Sequence, residues 1–334
     1  MGTMGTLQSR RASVAAYAAR RVAQGIGLVT LTLLTGSANA QAWPSKTMRL
    51  IIGQPPAGLT DVTAHLYAQE LEQRVKQTVI IENRPGASGL IGARAVATAA
   101  PDGHTFHIST GINQSKLLMK SGMDLFNELA PVSILMAGPW ALFARPGMPA
   151  TFAELVAQAK SKPGQQYNYA SPGVLNSLAM VMVKNQTGID FVNVNYKGQT
   201  QIAQGLGTAE VDLTISTPPP FLPLLQSGKV RAYFTTRKTA SLPGVPTAEE
   251  VGLTNFQAGF NLGAWVPVGT PRPVIDRLST ELAAVTALPR VQGIIRTQLG
   301  AEPVGSSADE MRRTVENELR FWGDAVKSAK YEPE

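Results

Sequence analysis

From Met48 onward, short apolar runs alternate with segments whose apolar positions recur at helical spacing. "MRLIIG" (48–53) reads as a buried strand, Asp61 to Lys76 as a helix with Val62, Leu66, Leu71 and Val75 among its apolar positions, and "TVII" (78–81) as the next strand. A second helix is expected from about Ser88 to Ala100, closed by Pro101-Asp102-Gly103, with "TFHIS" (105–109) as the third strand. This βαβαβ order implies parallel strands joined by right-handed crossovers.

A second series begins near residue 140. "WALFA" is followed by a helix from Thr151 to Lys160, the strand "YNYA", a helix from about Asn176 to Gly188 and the strand "FVNVNY". A helix from about Gln199 to Leu206 and the strands "VDLTI" and "VRAYFTT" complete it. After the loop "SLPGVPTAEEVGL", the strand "GAWVP" and helices from Pro271 and Ser307 read as a return to the first half. The expected organisation is a leader over residues 1–40, one α/β domain from 41–140 plus 263–334, and a second from 141–262. Two crossings between domains make a hinge, with a cleft between the lobes.

The leader changes the charge picture. Arg10, Arg11, Arg20 and Arg21, without any acidic residue, precede an apolar run from Val22 to Gly36 and then Ala38-Asn39-Ala40. That is the pattern of a cleavable signal peptide cut before Gln41, and it places the mature chain in the periplasm. The run falls short of the roughly 20 residues that a membrane-spanning helix needs. Losing the leader leaves 26 basic against 23 acidic residues, so the formal charge of +7 falls to +3. No basic run remains to bind nucleic acid. The absence of cysteine excludes disulfides, thiol nucleophiles, thiolate metal sites and a lipidated N-terminal cysteine.

Parallel α/β sheets bind ligands outside the carboxyl ends of their strands. The loops expected there are "GQPPAGLTD" (53–61), "STGIN" (109–113), "ASPGVLNS" (170–177), "YKGQTQ" (196–201) and "STPPP" (216–220). Prolines shape such loops, glycine admits close approach, and N–H groups at the following helix start attract an anion. Thr60 is the expected cap of its helix, and Asp61 the residue that complements the helix dipole. Asp61 also argues against a phosphate dianion there. Donors that are mainly N–H and hydroxyl groups, with Lys197 the one cation in these loops, suit a small carboxylate.

Catalytic patterns are missing. His104 and His107 sit at odd spacing on one expected strand and face opposite ways, and His65 is the remaining histidine. There is no H-E-x-x-H, G-x-S-x-G or S-x-x-K. "GASGLIG" has glycines at three-residue spacing but lacks the G-x-G opening of a dinucleotide site. No enzyme activity, metal or cofactor is expected.

"WPSKTMRLIIGQPPAGLTDVTAH", "VIIENRPGASGLIGARAVATAAPDGHT", "YNYASPGV", "VNYKG", "VPTAEEVGL" and "PVGTPRPVIDRL", in this order, resemble the extracytoplasmic solute-binding proteins of tripartite tricarboxylate transporters, the Bug family. The resemblance runs from Trp43 to about Tyr331. It implies a periplasmic-binding-protein-like fold of type II, monomeric, that closes on a small carboxylate and delivers it to membrane permease subunits. It implies a ligand wrapped by Gln54, Pro56, Ala57, Gly58, Leu59 and Thr60, by Ser109 and Thr110, by Ser171, Gly173 and Leu175, and by Ser216 and Thr217.

Ala57 and Leu59 stand where the family usually has glycine, Gln54 replaces an aromatic residue, Leu175 a small one, and Ser216 an aspartate. These departures lean toward a less polar, aromatic acid, with Trp140, Phe260 or Trp265 as candidate walls. A sensor component that presents the same ligand to a signalling receptor is the alternative reading.

Overall fold

The computed structural model describes residues 43–331, apart from Ala57, 111–113, Ser121, Pro172 and Lys197. The predicted signal peptide lies outside the described residues. Along the chain run β1 (Met48–Ile52), α1 (Leu59–Val75), β2 (Val79–Asn83), α2 (Leu90–Ala97), β3 (Thr105–Ser109), β4 (Leu129–Pro139) and β5 (Ala141–Ala144). Next come α3 (Phe152–Ser161), β6 (Gln166–Ser171), α4 (Val174–Thr187), β7 (Asp190–Asn195), α5 (Gln199–Gly207), β8 (Leu213–Ser216) and β9 (Arg231–Thr235). The chain closes with β10 (Gly259–Pro267), α6 (Arg272–Thr286), α7 (Pro289–Thr297), β11 (Glu302–Pro303) and α8 (Ala308–Ala329).

Two mixed sheets result, ordered β11-β4-β10-β3-β1-β2 and β7-β6-β8-β5-β9. β1 pairs in parallel with β2 and β3, as the βαβαβ pattern requires. β6 likewise pairs in parallel with β7 and β8. The antiparallel pairings are β10 against β3 and β4 and β5 against β8 and β9, near the crossings, together with the short β11 against β4 at the sheet edge. The chain passes from the first sheet to the second through Trp140 and returns between Thr235 and Gly259.

Several boundaries differ from expectation. The first helix starts at Leu59 with Gly58 as its N-cap, so Thr60 does not cap it; Thr60 sits in the first turn, 3% exposed. The second helix starts only at Leu90, because Ala87, Ser88 and Gly89 take left-handed backbone angles in a short 3-10 turn. β10 begins at Gly259 rather than Gly263.

β4 is a strand that the periodicity did not reveal. Its sequence, LAPVSILMAGP, is buried along almost its whole length, so no polar alternation marks it. Its prolines read as breakers. In the fold, Pro131 lies at a register shift opposite Trp265 and Pro139 at the end of the ladder opposite Gly259, positions where a missing N–H is tolerated.

Within this sheet, His107 on β3 is fully buried, and its Nδ1–H donates to the Ile51 carbonyl at 2.7 Å. Because a carbonyl only accepts, the neutral ring carries its proton on Nδ1. Burial pulls its pKa down to about 4, the bond to Ile51 opposing that shift. The unfolded chain takes up this proton below about pH 6.5 while the folded one does not, so this share of stability is complete above that pH. It drains away as pH falls toward 4, and over that window the loss is about 3 kcal/mol. Denaturant titrations across pH 4–7 on the wild type and His107→Gln are expected to show this slope only in the wild type; equal slopes would rule out His107 as its source.

Candidate functional site

The loops after β1, β2, β3, β6, β7 and β8 converge on one cleft. Two compartments, of about 540 Å³ and about 650 Å³, share Gln54, Pro55, Thr110 and Asn176 as walls. A third, of about 100 Å³, shares Thr110, Trp140 and Phe260 with the second and Thr110 and Leu175 with the first. Among the described residues, no charged side chain lines either large compartment.

The helices that start at this cleft have a common feature. α1, α2, α4 and α5 have Gly58, Gly89, Gly173 and Gly198 as N-caps, and none of the four has a side-chain cap. Glycine has no side chain with which to satisfy the first N–H groups of a helix, which have no intrahelical acceptor. α3 and α8 instead carry complete capping boxes, Thr151 with Glu154 and Ser307 with Glu310. The first-turn residues Leu59 and Thr60 of α1, Val174, Leu175 and Asn176 of α4, and Gln199 and Thr200 of α5 line the cleft. Donors and the positive ends of helix dipoles from both sheets therefore face one space.

Asp61, the one acidic residue in the first turn of α1, is turned away from that space. Its Oδ1 accepts from Asn83 Nδ2 at 2.8 Å, and the same amide donates to the Gln54 carbonyl at 3.3 Å. The acid thus fastens the start of α1 and the loop before it to the end of β2.

The expected site residues fall into three groups. Gln54, Gly58, Leu59, Thr60, Thr110, Gly173, Leu175 and Thr217 line the cleft. Thr217 donates from Oγ1 to Gln199 Oε1 at 2.9 Å, and Gln54 Oε1 is buried with no hydrogen-bond partner among the described residues.

Pro56, Ser109, Ser171 and Ser216 do not line it. Pro56 is exposed, while Ser109 and Ser216 are buried. The Ser171 hydroxyl is spent on its own loop, donating to the Gly173 carbonyl at 2.6 Å and accepting from Ser177 Oγ at 2.9 Å. Ala57 lies outside the described residues, as does Lys197. Of the three aromatic candidates, Trp140 and Phe260 form walls, whereas Trp265 is 1% exposed and packs with Met311 and Val315 in the core.

Sequence reading missed Gly86, Ser88 and Gly89, which wall the first compartment, and it placed Gly53, Asn176, Gln199 and Thr200 in cleft loops without singling them out. The signal was present in "RPGASGLIG". Gly86 and Gly89 have φ of 131° and 96°, which glycine alone adopts readily. Gly53 packs so tightly against this turn that a β-carbon on it would come within 2.4 Å of the Gly89 carbonyl oxygen.

A periplasmic-type binding protein is the class that two α/β halves around a donor-lined cleft define. The profile of the tripartite tricarboxylate transporter family receptor matches residues 63–330, and the chain belongs to that family. Its fold is similar to the periplasmic binding protein BugD at 28% identity and a TM-score of 0.72, over 87% of this chain and 100% of that one. The R. palustris protein Rpa4515 with adipate is similar at 31% identity and a TM-score of 0.73, over 87% of this chain and 100% of that one. MatC from Rhodopseudomonas palustris with bound malate follows at 28% identity and a TM-score of 0.69, over 85% of this chain and 100% of that one.

The contact between Gly53 and Gly89 is open to a direct test. Gly53→Ala is expected to push the 86–89 turn outward and to cost about 1–3 kcal/mol, as overpacking against backbone does. Gly58→Ala, whose β-carbon would meet nothing nearer than the Pro55 carbonyl oxygen at 3.7 Å, serves as the tolerated comparison in thermal unfolding. Equal melting temperatures for the two variants would contradict the tight packing.

Proposed function

We propose that this chain is an extracytoplasmic receptor that captures a small carboxylate and hands it to the membrane permease of a tripartite tricarboxylate transporter. The observation that carries this reading is the set of glycine-capped helix starts around a cleft whose two main compartments have no charged wall among the described residues. N–H donors aimed at one space neutralise an anion without a buried arginine, and a carboxylate hydrogen-bonded in this way stays ionised. Each such charge-assisted bond contributes about 1.5–3 kcal/mol. Adipate and malate in the two R. palustris relatives are small carboxylates of the same kind.

The two lobes, residues 41–140 with 263–334 and residues 141–262, act as domains that close on the ligand about the crossings beside Trp140 and Gly259. Ligand that touches both lobes binds the closed state preferentially and shifts the population toward it. The permease reads that closed state. The basic, apolar leader directs the chain to the periplasm before cleavage.

Proline at the first position of a helix removes one N–H without disturbing the helix, and it asks for an extended residue before it. Gly58 (φ −82°, ψ 170°) and Gly173 (φ 172°, ψ 173°) already have that conformation. A thermal-shift screen of mono-, di- and tricarboxylates and aromatic acids is expected to find ligands. Leu59→Pro and Val174→Pro should each weaken the best of them about tenfold or more in titration calorimetry while the unliganded melting temperature holds. Full affinity in both variants would exclude these helix starts as the anion site.

A further inference from the structure

Four residues are walls of both large compartments: Gln54, Pro55, Thr110 and Asn176. They stand where a ligand that reaches from one compartment into the other has its middle. The proline ring offers no polar group, and a threonine hydroxyl turns to donate or accept as its neighbour requires. The two amides are less adaptable.

Asn176, 9% exposed in the first turn of α4, donates from Nδ2 to the Ile215 carbonyl on β8 at 2.8 Å. Because that carbonyl only accepts, the amide nitrogen is committed to the sheet, and Oδ1 is the polar atom that the side chain has left for the cleft. Gln54 comes to the same place from the loop after β1. Its Oε1 is buried with no hydrogen-bond partner among the described residues. Its Nε2 lies 3.0 Å from the point that a β-carbon on Gly89 would occupy, beside the start of α2.

These two oxygens set a demand opposite to that of the helix starts. The starts offer N–H groups and take an anion, whereas an amide oxygen takes a hydrogen-bond donor. A methylene, an ether or a carboxylate oxygen against Asn176 Oδ1 and Gln54 Oε1 leaves them unpaired, which costs free energy in a site closed to water. A hydroxyl satisfies them. An ammonium also donates, but it meets the positive ends of the helix dipoles and, among the described residues, no charged wall in either compartment to offset its desolvation.

We propose that Asn176 and Gln54 are specificity-determining residues that read a hydroxyl on the carbon chain of the ligand, so that the cleft selects a hydroxy acid over the unsubstituted acid of the same length. This inference rests on the carboxylate reading of the helix starts. The carboxylate is held at a glycine-capped start, and the hydroxyl lies at the junction of the compartments and donates to an amide oxygen there.

The test is titration calorimetry with matched sets of mono- and dicarboxylic acids of four to six carbons, each parent chain compared with its 2- or 3-hydroxy, methoxy and amino derivatives. In the set that binds best, a hydroxy acid should bind the wild type about tenfold or more tighter than the parent and than the methoxy acid, which keeps the oxygen and lacks the donor. It should also bind more tightly than the amino derivative. Gln54→Met removes one acceptor at similar size and breaks no bond made by Oε1, so it should fold and shrink the preference for the hydroxyl severalfold. Asn176→Leu should shrink it further, with a lowered melting temperature because the Ile215 carbonyl loses its donor.

A parent or methoxy acid bound as tightly as every hydroxy acid would overturn the proposal. So would a hydroxyl preference kept in full by both variants, or by Gln54→Met alone where Asn176→Leu fails to fold. Binding of the parent acids alongside either result would leave the carboxylate reading in place without this inference. If no acid of any set binds, both fall.

Discussion

The N–H groups at a helix start must find an acceptor, and in this molecule four helices that begin at the cleft have glycine at the position where a side chain would normally supply one. Much else follows from that constraint. A space walled by such donors holds water or an anion, and it gains little from charged side chains. It also needs the four starts to be held in register, because an orphan donor is useful only where it points at the same volume as the others. Away from the cleft, α3 and α8 close their own starts with Thr–Glu and Ser–Glu pairs.

The two sheets meet that positional requirement. In each, the parallel strands end on the side facing the cleft, so a loop that leaves β1, β6 or β7 turns directly into a helix start. Tight packing holds the approach: Gly53 and Gly92 are close enough that a β-carbon on Gly92 would lie 2.8 Å from Gly53 Cα. Asp61 and Asn83 tie the first of these loops to the neighbouring strand. The link between sheets runs through β4 and β10, which lie side by side with Gly259 opposite Pro139. Trp140, on that link, is at once a wall of the cleft and a partner of Trp322 on α8, with ring centroids 6.0 Å apart. Trp140 therefore connects the cleft wall to the last helix.

The cleft is also unequal along its length. Among the described residues, its two larger compartments are lined by glycines, prolines, amide and hydroxyl side chains and apolar groups, while Glu318 is a wall of the smallest one. Gln114 and Glu318 come from positions 204 residues apart, and β10 contributes the Asn261 contact that steadies the carboxylate.

Local pattern determined a good part of this protein. Apolar runs followed by helical periodicity were enough to find β1, β2, β3 and the three parallel strands of the second sheet, since each of those rules acts over a few residues. Proline and glycine clusters after strands marked the loops that reach the cleft, and six ordered motifs carried the family. What only the tertiary structure decided depends on groups distant in sequence. β4 is buried on both faces and interrupted by prolines, so its strand character comes from its partners β10 and β11 rather than from its own residues. Ser171 and Thr217 look equivalent as hydroxyl residues at strand ends, yet Ser171 folds back on the Gly173 carbonyl while Thr217 reaches Gln199 in the cleft. Trp140 and Trp265 are both aromatic residues at or beside the strands linking the sheets, and only the direction of each side chain from its sheet puts one in the cleft and the other in the core. Direction is set by pleat and register, which need the paired strand to be in place before they exist.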